Sequence, residues 1–466
     1  MSKRALNQDV QNILGLINKK GLRVHFIGVG GVGMYSLFEI LKKRGAIVSG
    51  SDRAENAYVK RLISDGERVV VGHNLSLVAN ADLVVYTHAI SDADEELALA
   101  KRLGKPTATR AVLLGAVISL YELKMGISGT HGKSTVTAMI NHVIGASDIS
   151  CDCICGADLG EGRGPFVIND SRALVYESCE YKDSFLNFYP DYAVFLNLEL
   201  DHPDYFKGIE DIKHSFLRAM NNSLNVIVNA DDENLFEISK KTVANPILVG
   251  RGDGCCYRLL KILENNGKCS FWVLENGGRV TKISLNLFGS FNVYNALCAY
   301  SLCREIGIEA DRVKTGLESF TAIPRRLEYI GKYKNHKLYY DYAHHPTEIK
   351  ASIKAIENAE GVKPCVIFRP HTYSRTETLF AEFCDSLSLA DKALLLDIDG
   401  VREENKSGIS SSALAEKIGD TATRVTKNDV LTHIDDNGSP IILMGAADLG
   451  EIKEMLLKNG KEKFAR

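Results

Sequence analysis

Three absences in the 466-residue sequence narrow the possible functions. No apolar run approaches the ~20 residues needed to cross a bilayer. Neither sign of charge predominates, because 56 Lys and Arg residues are interspersed with 59 Asp and Glu residues, and the formal net charge is −3. Without a basic stripe, nothing indicates a nucleic-acid partner. Residues 1–20 lack the apolar core of a secretion signal. We expect a cytoplasmic protein with no membrane insertion.

The cysteines lack the spacing of a metal site or of a disulfide framework. Eleven is an odd number, and a chain without a secretion signal is expected to keep its thiols reduced. The only tight group is Cys151, Cys153 and Cys155, and its one-residue gaps are shorter than ordinary zinc-site spacing. Buried or loop thiols are therefore expected.

The most informative stretch present is Gly126–Ser134, which reads Gly-Ile-Ser-Gly-Thr-His-Gly-Lys-Ser. The apolar segment Val117–Ile127 predicts a strand entering this turn, and apolar residues at helical spacing follow it. Glycines let backbone N–H groups converge on phosphates, Lys133 reaches the β- and γ-phosphates, and Ser134 can ligate Mg²⁺. The turn predicts ATP or GTP binding, although Ile127 stands where the common pattern has glycine. The alternative is a plain strand-to-helix connection.

A second glycine-rich turn lies near the N-terminus. The segment Arg23–Ile27 predicts a strand, a helix is expected to run to about Arg44, and a further strand ends just before Asp52. Such a turn can hold any pyrophosphate, and the acidic residue can accept hydrogen bonds from a ribose or base. Taken alone, this N-terminal unit would suit an NAD-dependent dehydrogenase, but that interpretation leaves the Gly-Lys-Ser turn without a role. The predicted phosphate-binding glycines are Gly28, Gly30, Gly31 and Gly33.

Strand and helix patterns alternate along the whole chain, which is typical of parallel α/β sheets. At roughly 150 residues per domain, about three domains are expected. Hairpin signals between Tyr257 and Leu287 predict a β-insertion in the central one. We place the domains at residues 1–122, 123–323 and 324–466.

Polar residues that end apolar strands predict the remaining site. Glu177 and the Asp201-His202 pair follow two such strands, and ligands bind at the carboxyl ends of parallel strands. Carboxylate oxygens suit Mg²⁺, while a solvated strand end is the alternative. Asn292 and Asn295 are expected on one face of a starting helix.

Histidines and arginines collect in the turns of the third domain. Adjacent His344 and His345 should point to opposite faces of an extended segment, and no third metal ligand is evident. His371 and Arg375 could bind an anionic substrate, the alternative being a solvated helix start.

Taken together, the motifs resemble the Mur ligase family over nearly the whole chain, and most closely its alanine-adding branch. The segments that carry the resemblance are Gly28–Met34, Gly129–Ser134, Glu177–Tyr181, Ser184–Leu186, Asn197–His202, Asn292–Ala296, Arg325-Arg326, Asp341–Glu348, Pro370–Thr376 and Gly445–Asp448.

This resemblance implies Rossmann-like N- and C-terminal domains around a central P-loop ATPase-type domain. ATP would phosphorylate the carboxylate of UDP-N-acetylmuramate, and the amine of L-alanine would attack the acyl phosphate. The implied catalytic residues are Lys133, Glu177, His202, Arg326 and His345, with Mg²⁺ held by Ser134, Glu177 and His202. ATP would meet Gly129, Thr130, His131, Gly132, Lys133, Ser134, Thr135, Asn292, Asn295, Arg326 and Asp341. The sugar nucleotide and acceptor would meet Gly28, Gly30, Gly31, Gly33, Asp52, His345, His371 and Arg375.

Some residues differ from the family pattern, and alternative functions accompany this prediction. Ser290 and Phe291 stand where relatives often have Arg and His, and no carbamylated lysine is expected near Lys213. The base that deprotonates alanine stays open between His345 and His202. A murein tripeptide ligase shares most motifs, but Thr376, rather than a further arginine, follows Arg375. A non-catalytic nucleotide-binding regulator is the alternative from another class. We expect a monomer or weak homodimer.

Overall fold

The protein is described by a computed structural model for residues 6–160, 162–401 and 403–461. Three sheets follow one another along the chain, with five, ten and six strands, and helices flank each of them. Most neighbouring strands are parallel, as the alternating pattern predicts, so the α/β class is confirmed.

The first sheet is entirely parallel and has the order β3-β2-β1-β4-β5. The first glycine-rich turn joins β1 to α2, and strand β2 ends at Asp52 as expected. Its elements are α1 (Gln8–Ile17), β1 (Arg23–Ile27), α2 (Val32–Lys43), β2 (Ile47–Asp52), α3 (Ala57–Ser64), β3 (Val69–Val71), α4 (Leu75–Asn80), β4 (Leu83–Tyr86), α5 (Glu95–Arg102), β5 (Thr107–Thr109) and α6 (Arg110–Ile118).

The second sheet has ten strands in the order β15-β14-β13-β12-β11-β10-β6-β9-β7-β8. The Gly-Lys-Ser turn joins β6 to α7 near its centre. Its elements are β6 (Leu123–Ser128), α7 (Lys133–Gly145), β7 (Asp152–Ile154), β8 (Phe166–Val167), β9 (Ala173–Glu177), 3₁₀ turns within Tyr181–Asn187, β10 (Tyr192–Phe195), α8 (Ile209–Asn221), β11 (Asn225–Asn229), α9 (Glu233–Ser239), β12 (Asn245–Gly250), β13 (Tyr257–Asn265), β14 (Lys268–Glu275), β15 (Val280–Phe288), α10 (Phe291–Glu305) and α11 (Ala310–Ser319).

The third sheet has the order β16-β17-β21-β18-β19-β20 and is parallel except for the first pair. Its elements are β16 (Glu328–Tyr333), β17 (His336–Asp341), α12 (Pro346–Glu360), β18 (Cys365–Phe368), α13 (Tyr373–Thr378), α14 (Phe380–Leu387), β19 (Lys392–Leu395), α15 (Ser411–Ile418), β20 (Ala422–Arg424), a 3₁₀ turn (Val430–His433), β21 (Ile441–Met444) and α16 (Gly450–Lys461).

Arg325 stabilises the entry into the third sheet. Its φ of 60° lies in the left-handed region, which turns the chain sharply before β16. The guanidinium donates to the carbonyl oxygens of Gly445, Ala446 and Ala447 at 2.8, 3.0 and 3.0 Å. It also lies 5.0 Å from the ring centre of Tyr340. Arg325 is therefore a structural residue.

Apolar packing joins the first two sheets. One continuous core includes Phe26 of β1 and Phe195 of β10, and both side chains are buried. The opposite face of the second sheet packs against α7 and α10 in a separate core. The glycine-rich turns of the two sheets are thus held on a common apolar base.

Local predictions fail where periodicity alone cannot separate a strand from a buried helix. Val117 and Ile118 end helix α6, and the entering strand begins only at Leu123. The hairpin strands expected between Tyr257 and Leu287 are present, and they extend the central sheet, with β13 parallel to β12 and β14 and β15 antiparallel. In the third domain, α13 and α14 are separated by a break at Leu379.

Two expectations from the sequence concerned the state of the cysteines and the absence of membrane-spanning segments. All eleven cysteines fall within the described residues and are free thiols, and most are buried. Among the helices in the described part of the chain, none has the length and apolar character required to span a membrane.

Candidate active site

The Gly-Lys-Ser turn is tightly packed against neighbouring polar side chains. Gly132 has a φ of 85°, and a Cβ there would lie 2.6 Å from Oδ1 of Asn295. The amide N–H of His131 donates to Oδ1 of Asn197 at 2.7 Å, and Nδ2 of Asn197 donates to the His131 carbonyl at 3.1 Å. These contacts fix the backbone of the turn, and only glycine fits at position 132.

Lys133 is paired with a carboxylate to which sequence reasoning assigned no role. Its Nζ lies 3.0 Å from Oε2 of Glu180 and also donates to the carbonyl of Thr130 at 3.1 Å. Glu180 is only 1% exposed. Burial alone would lower the pKa of Lys133, but the charge of Glu180 outweighs it, and the pKa is raised. Lys133 therefore stays protonated and aimed along the turn.

Ser134 links the carboxyl end of β9 to the third domain. Its Oγ donates to Oε2 of Glu177 at 2.8 Å and accepts from Arg326 at 3.2 Å. Two of the three predicted Mg²⁺ ligands, Ser134 and Glu177, are thus in contact, and Arg326 joins them. His202 lies beside the Lys133 partner instead, with Nε2 3.8 Å from Oε1 of Glu180.

A cleft of about 230 Å³ opens between the second and third sheets beside the turn. Gly132 and Thr135 of the second domain and Asp341 of the third are among its lining residues. Burial raises the pKa of Asp341 to about 6, and its carboxylate accepts a hydrogen bond from Ser352. Both predicted asparagines, Asn292 and Asn295, line this cleft, and so does Phe291.

His131 is a cation within the turn itself. Nδ1 lies 3.3 Å from Oε1 of Glu348, and Nε2 lies 3.6 Å from Oε2 of Glu199. Burial opposes protonation, but these two carboxylates raise the pKa of His131 to about 10. A positive imidazolium therefore faces the cleft at neutral pH.

His345 contacts the same cluster but is held by backbone groups. Its Nε2 is 3.3 Å from the carbonyl oxygen of Leu200, so it donates there, and Nδ1 accepts from the Thr347 amide at 3.4 Å. Because both nitrogens are engaged, His345 presents no free lone pair for a proton.

The two adjacent histidines diverge, as the extended backbone predicts. The ring of His344 faces His371, with 6.2 Å between centroids, whereas the ring of His345 lies 4.8 Å from that of His131. Only His345 of the pair belongs to a group with metal-ligand spacing in the described residues. Ligand atoms of His131, Glu199 and His345 lie within 4.8 Å of one another.

A larger cavity of about 870 Å³ extends from the first glycine-rich turn to the second sheet. Gly28, Gly31 and Gly33 line it, and so does Glu177, which accepts a hydrogen bond from Ser134. The larger cavity and the smaller cleft therefore meet at Ser134, which contacts a wall residue of each.

Asp52 and Gly30 form the far side of this glycine turn. Oδ2 of Asp52 accepts from the Gly30 amide at 2.8 Å, and a Cβ on Gly30 would overlap Asp52 and Asn56. Gly30 thus packs against protein. Gly31 faces the cavity instead, because a Cβ added there would have its nearest protein atom 3.8 Å away.

Arg375 is buried against the loop that follows β10 of the second sheet. Its Nε donates to Oδ1 of Asp201 at 2.9 Å, and Nη1 lies 3.4 Å from Nδ1 of His371. Burial and the nearby Arg375 lower the pKa of His371 to about 4. The guanidinium is thus neutralised by Asp201 and accompanied by a neutral imidazole.

Comparison with known proteins adds to this geometry. The Mur ligase catalytic domain profile matches residues 23–122, the middle domain profile residues 166–303, and the glutamate ligase domain profile residues 325–446. The UDP-N-acetylmuramate–L-alanine ligase of Clostridium novyi is 38% identical over 457 residues, covering 96% of this chain and 99% of the relative. The chain belongs to the Mur ligase family.

Other Mur ligases agree with it in sequence and in fold. The UDP-N-acetylmuramate–L-alanine ligase of Acetivibrio thermocellus is 40% identical over 448 residues, which is 94% of this chain and 96% of that one. The solved UDP-N-acetylmuramate–alanine ligase of Thermotoga maritima has a TM-score of 0.79 at 24% identity, and a murein peptide ligase of Psychrobacter arcticus has 0.72 at 21%. Each structure covers 94% of this chain and is itself covered over 98%. These structures share the three-domain Mur ligase architecture.

Several polar residues of this Mur ligase site were missed in the sequence. Glu180, Glu199 and Glu348 each pair with His131 or Lys133 of the Gly-Lys-Ser turn. Glu180 and Glu348 lie inside motifs that carried the family resemblance, so the motifs themselves were the available signal.

Proposed function

We propose that this protein joins L-alanine to the carboxylate of UDP-N-acetylmuramate with hydrolysis of ATP to ADP and phosphate. The carboxylate oxygen attacks the γ-phosphorus of ATP, ADP leaves, and an acyl phosphate forms. The alanine amine then attacks the acyl carbon, and phosphate leaves as the amide bond forms. The named activity of the relatives, at 38–40% identity over nearly full length, supports this proposal.

One structural observation carries the proposal, namely the contact of Ser134 with both Glu177 and Arg326. Glu177 lines the cavity at the first glycine-rich turn, and Arg326 lines the cleft at the second. A sugar nucleotide in the cavity and ATP in the cleft would therefore bring a carboxylate and a γ-phosphate together at Ser134. A dehydrogenase would have no use for two such sites.

The charges at this junction suit phosphoryl transfer. The ammonium of Lys133 and the guanidinium of Arg326 would bind oxygens of the transferring phosphoryl group, where negative charge is concentrated. Lys133 now donates to Glu180 and to the turn, so we propose that Glu180 holds the ammonium in place until ATP arrives. The imidazolium of His131 adds a third positive charge beside the cleft.

The donor set fits the Mg²⁺ that the family implies. A serine hydroxyl and a carboxylate 2.8 Å apart are oxygen donors of the kind that Mg²⁺ prefers. We propose Ser134 and Glu177 as its protein ligands, with His202 as a third. Bound there, Mg²⁺ would neutralise charge on the phosphate oxygens.

The acceptor end lies in the third domain. We propose that Arg375 and His371 receive the carboxylate of alanine and that His345, with both nitrogens engaged, positions the loop rather than accepting a proton.

In the nucleotide cleft we propose that Asn292 and Asn295 meet the adenine and Asp341 the ribose. The turn residues Gly129, Thr130 and Thr135 would contact the phosphates. Domain divisions at residues 122/123 and 323/324 are proposed on the same basis, since β6 begins the central sheet at Leu123.

The test is phosphate release from ATP and Mg²⁺ in the presence of UDP-N-acetylmuramate and one acceptor at a time. L-alanine should support rapid release, whereas L-Ala-γ-D-Glu-meso-diaminopimelate should not, because the only arginine that follows the Pro370-His371 motif within α13 is Arg375. A higher kcat/KM for the tripeptide would identify a murein peptide ligase. No phosphate release with any acceptor would favour a nucleotide-binding regulator.

A further inference from the structure

The last three strands of the central sheet, β13, β14 and β15, expose one of their two faces. Alternate residues such as Leu259 and Phe271 are buried in the core that includes α10, and they define the inner face. Directly opposed residues of antiparallel strands share a face. The other side, called here the outer face, therefore carries three rows of side chains: Arg258, Leu274 and Val280; Lys261, Trp272 and Lys282; and Leu263, Ser270 and Ser284.

Large apolar side chains stand in solvent on the outer face. Leu263 is 46% exposed and Val280 is 52% exposed. Beside them, Leu260 occupies the bulge of β13 and is also exposed. Trp272, the only tryptophan of the chain, lies half-buried at the centre of the middle row. An indole among aliphatic side chains is suited to a boundary between water and an apolar medium.

Charge is segregated between the two faces. The basic residues of β13 and β15 are Arg258, Lys261 and Lys282, and all three lie on the outer face. The acidic residues of the three strands, Glu264 and Glu275, oppose buried residues and lie on the inner side, where they accept hydrogen bonds from α12 and α10. The outer face is thus basic although the whole chain has a net charge of −3.

Two of these basic groups are available to a partner. Arg258 is paired with the exposed Asp253 at 2.5 Å. The ammonium groups of Lys261 and Lys282 lie 5.8 and 5.1 Å from the ring centre of Trp272. In the described part of the chain, no carboxylate forms an ion pair with either lysine. Two cations therefore flank the indole without a counter-ion.

We propose that the outer face binds the surface of a membrane that contains anionic phospholipid. Lipid phosphates would pair with Lys261 and Lys282, while the indole and the exposed aliphatic side chains enter the headgroup region. The flexible stems of the lysines would lie along this apolar surface and keep their charges at the phosphates. Such binding is peripheral, needs no membrane-spanning segment and lies outside the ligase reaction.

A lipid surface fits the outer face better than a protein partner. The hydroxyls of Ser270 and Ser284 are 2.9 Å apart and bond to each other, so they offer little directional recognition. The attraction that the face can supply is that of charge and apolar burial. A fluid anionic bilayer provides both over an area that needs no complementary shape.

The test uses the fluorescence of Trp272, because the only tryptophan of the chain reports on the outer face. The full-length protein is mixed with vesicles of phosphatidylcholine alone or of equimolar phosphatidylcholine and phosphatidylglycerol. With the anionic vesicles we expect the emission to shift to shorter wavelength and the protein to co-sediment. High salt should reverse both effects, because it screens exposed charges. Phosphatidylcholine alone should produce neither.

The double variant Lys261→Ala, Lys282→Ala should lower the partition coefficient for anionic vesicles roughly 25-fold, at about fivefold for each lysine removed. Lys240→Ala with Lys241→Ala is the matched control, because it removes the same charge from exposed residues that follow α9. The control should bind as the unmodified protein does. Both double variants should keep the melting temperature of the unmodified protein, since all four side chains are exposed.

Four outcomes would overturn the proposal. The first is an unmodified protein that neither shifts its emission nor co-sediments with the anionic vesicles. The second is an equal loss of binding in the control variant, which would mean that net charge alone matters. The third is an emission shift that grows with protein concentration without vesicles, which would show that a second copy covers the outer face. The last is a larger shift with polyglutamate than with anionic vesicles, which would identify an acidic protein segment as the occupant.

Discussion

Arg375 and Asp201 form a buried ion pair that joins the third domain to the second. Arg375 Nε donates to Asp201 Oδ1 at 2.9 Å, and each side chain is about 5% exposed. Burial opposes ionisation of Asp201, but Arg375 outweighs it and lowers the pKa of that carboxyl well below its usual range. Both partners are therefore charged, and removal of either residue would leave the other charge buried without a counter-ion.

Arg375→Ala should weaken both the interdomain contact and alanine binding. Removing one partner of a buried pair costs on the order of 3–5 kcal/mol, because the other charge stays buried. We expect a lower melting temperature and an increased KM for L-alanine, with the KM for UDP-N-acetylmuramate little changed.

The charge exchange Asp201→Arg with Arg375→Asp separates these two effects. If the pair only links the domains, the exchanged pair should restore both stability and turnover. If Arg375 also binds the carboxylate of alanine, stability should recover without turnover. Full recovery of turnover would contradict the proposed acceptor site.

Gly31→Val should weaken the sugar nucleotide selectively. At Gly31 the backbone has φ −71° and ψ 137°, which valine adopts readily, and a Cβ would face the cavity with its nearest protein atom 3.8 Å away. The fold should therefore be retained while close approach of the diphosphate is blocked. We expect the Kd for UDP-N-acetylmuramate to rise at least tenfold and that for ATP to stay constant.

Gly30→Ala provides the contrast, since its Cβ would overlap Asp52 and Asn56 and disturb the turn itself. Thermal unfolding should show a lower melting temperature for Gly30→Ala but an unchanged one for Gly31→Val. Equal loss of ATP and sugar-nucleotide affinity in Gly31→Val would mean that the two sites are wrongly assigned.

Sequence patterns predicted much of the scaffold because the strands are short, apolar and strongly periodic. The strand Arg23–Ile27, for example, has the expected bounds. Val117 and Ile118 were wrongly assigned, because a buried helix and a buried strand are both continuously apolar.

The site was predictable where one motif supplies neighbouring groups. Lys133 and Ser134 lie in one turn, so their proximity follows from spacing. The partners of Lys133 and His131 come from segments about 47 to more than 200 residues away, and sequence alone does not encode such pairings. For the same reason, the engagement of both nitrogens of His345 by backbone groups could not be foreseen.

His131 should give the protein a pH-dependent stability above neutral pH. Its folded pKa of about 10 lies above the ordinary histidine value of about 6.5. The stabilisation is therefore complete below pH ~6.5 and is lost as the pH rises through about 10. We expect the free energy of unfolding to fall over this window by up to about 1.4 kcal/mol per pH unit.

Urea unfolding of His131→Gln between pH 7 and 10 tests this linkage. The variant should be less stable than the unmodified protein at pH 7 and should show a flatter pH dependence. His214→Gln, on the exposed face of α8, is the control and should retain the original slope. An unchanged slope in His131→Gln would show that the imidazolium between Glu199 and Glu348 does not form.

Lys133→Ala should reduce kcat by at least 10²–10³-fold, because its ammonium would neutralise charge on the transferring phosphoryl group. The structure adds a second effect. Glu180 is 1% exposed and would lose the ammonium 3.0 Å away, so the single variant should also be less stable by roughly 3–5 kcal/mol. The double variant Lys133→Ala, Glu180→Gln removes the unpaired charge and should recover most of the stability without activity. Phosphate release measured beside urea unfolding separates the two effects. A stable double variant with near-normal turnover would mean that Lys133 serves only to compensate Glu180, and that phosphoryl transfer depends on other groups.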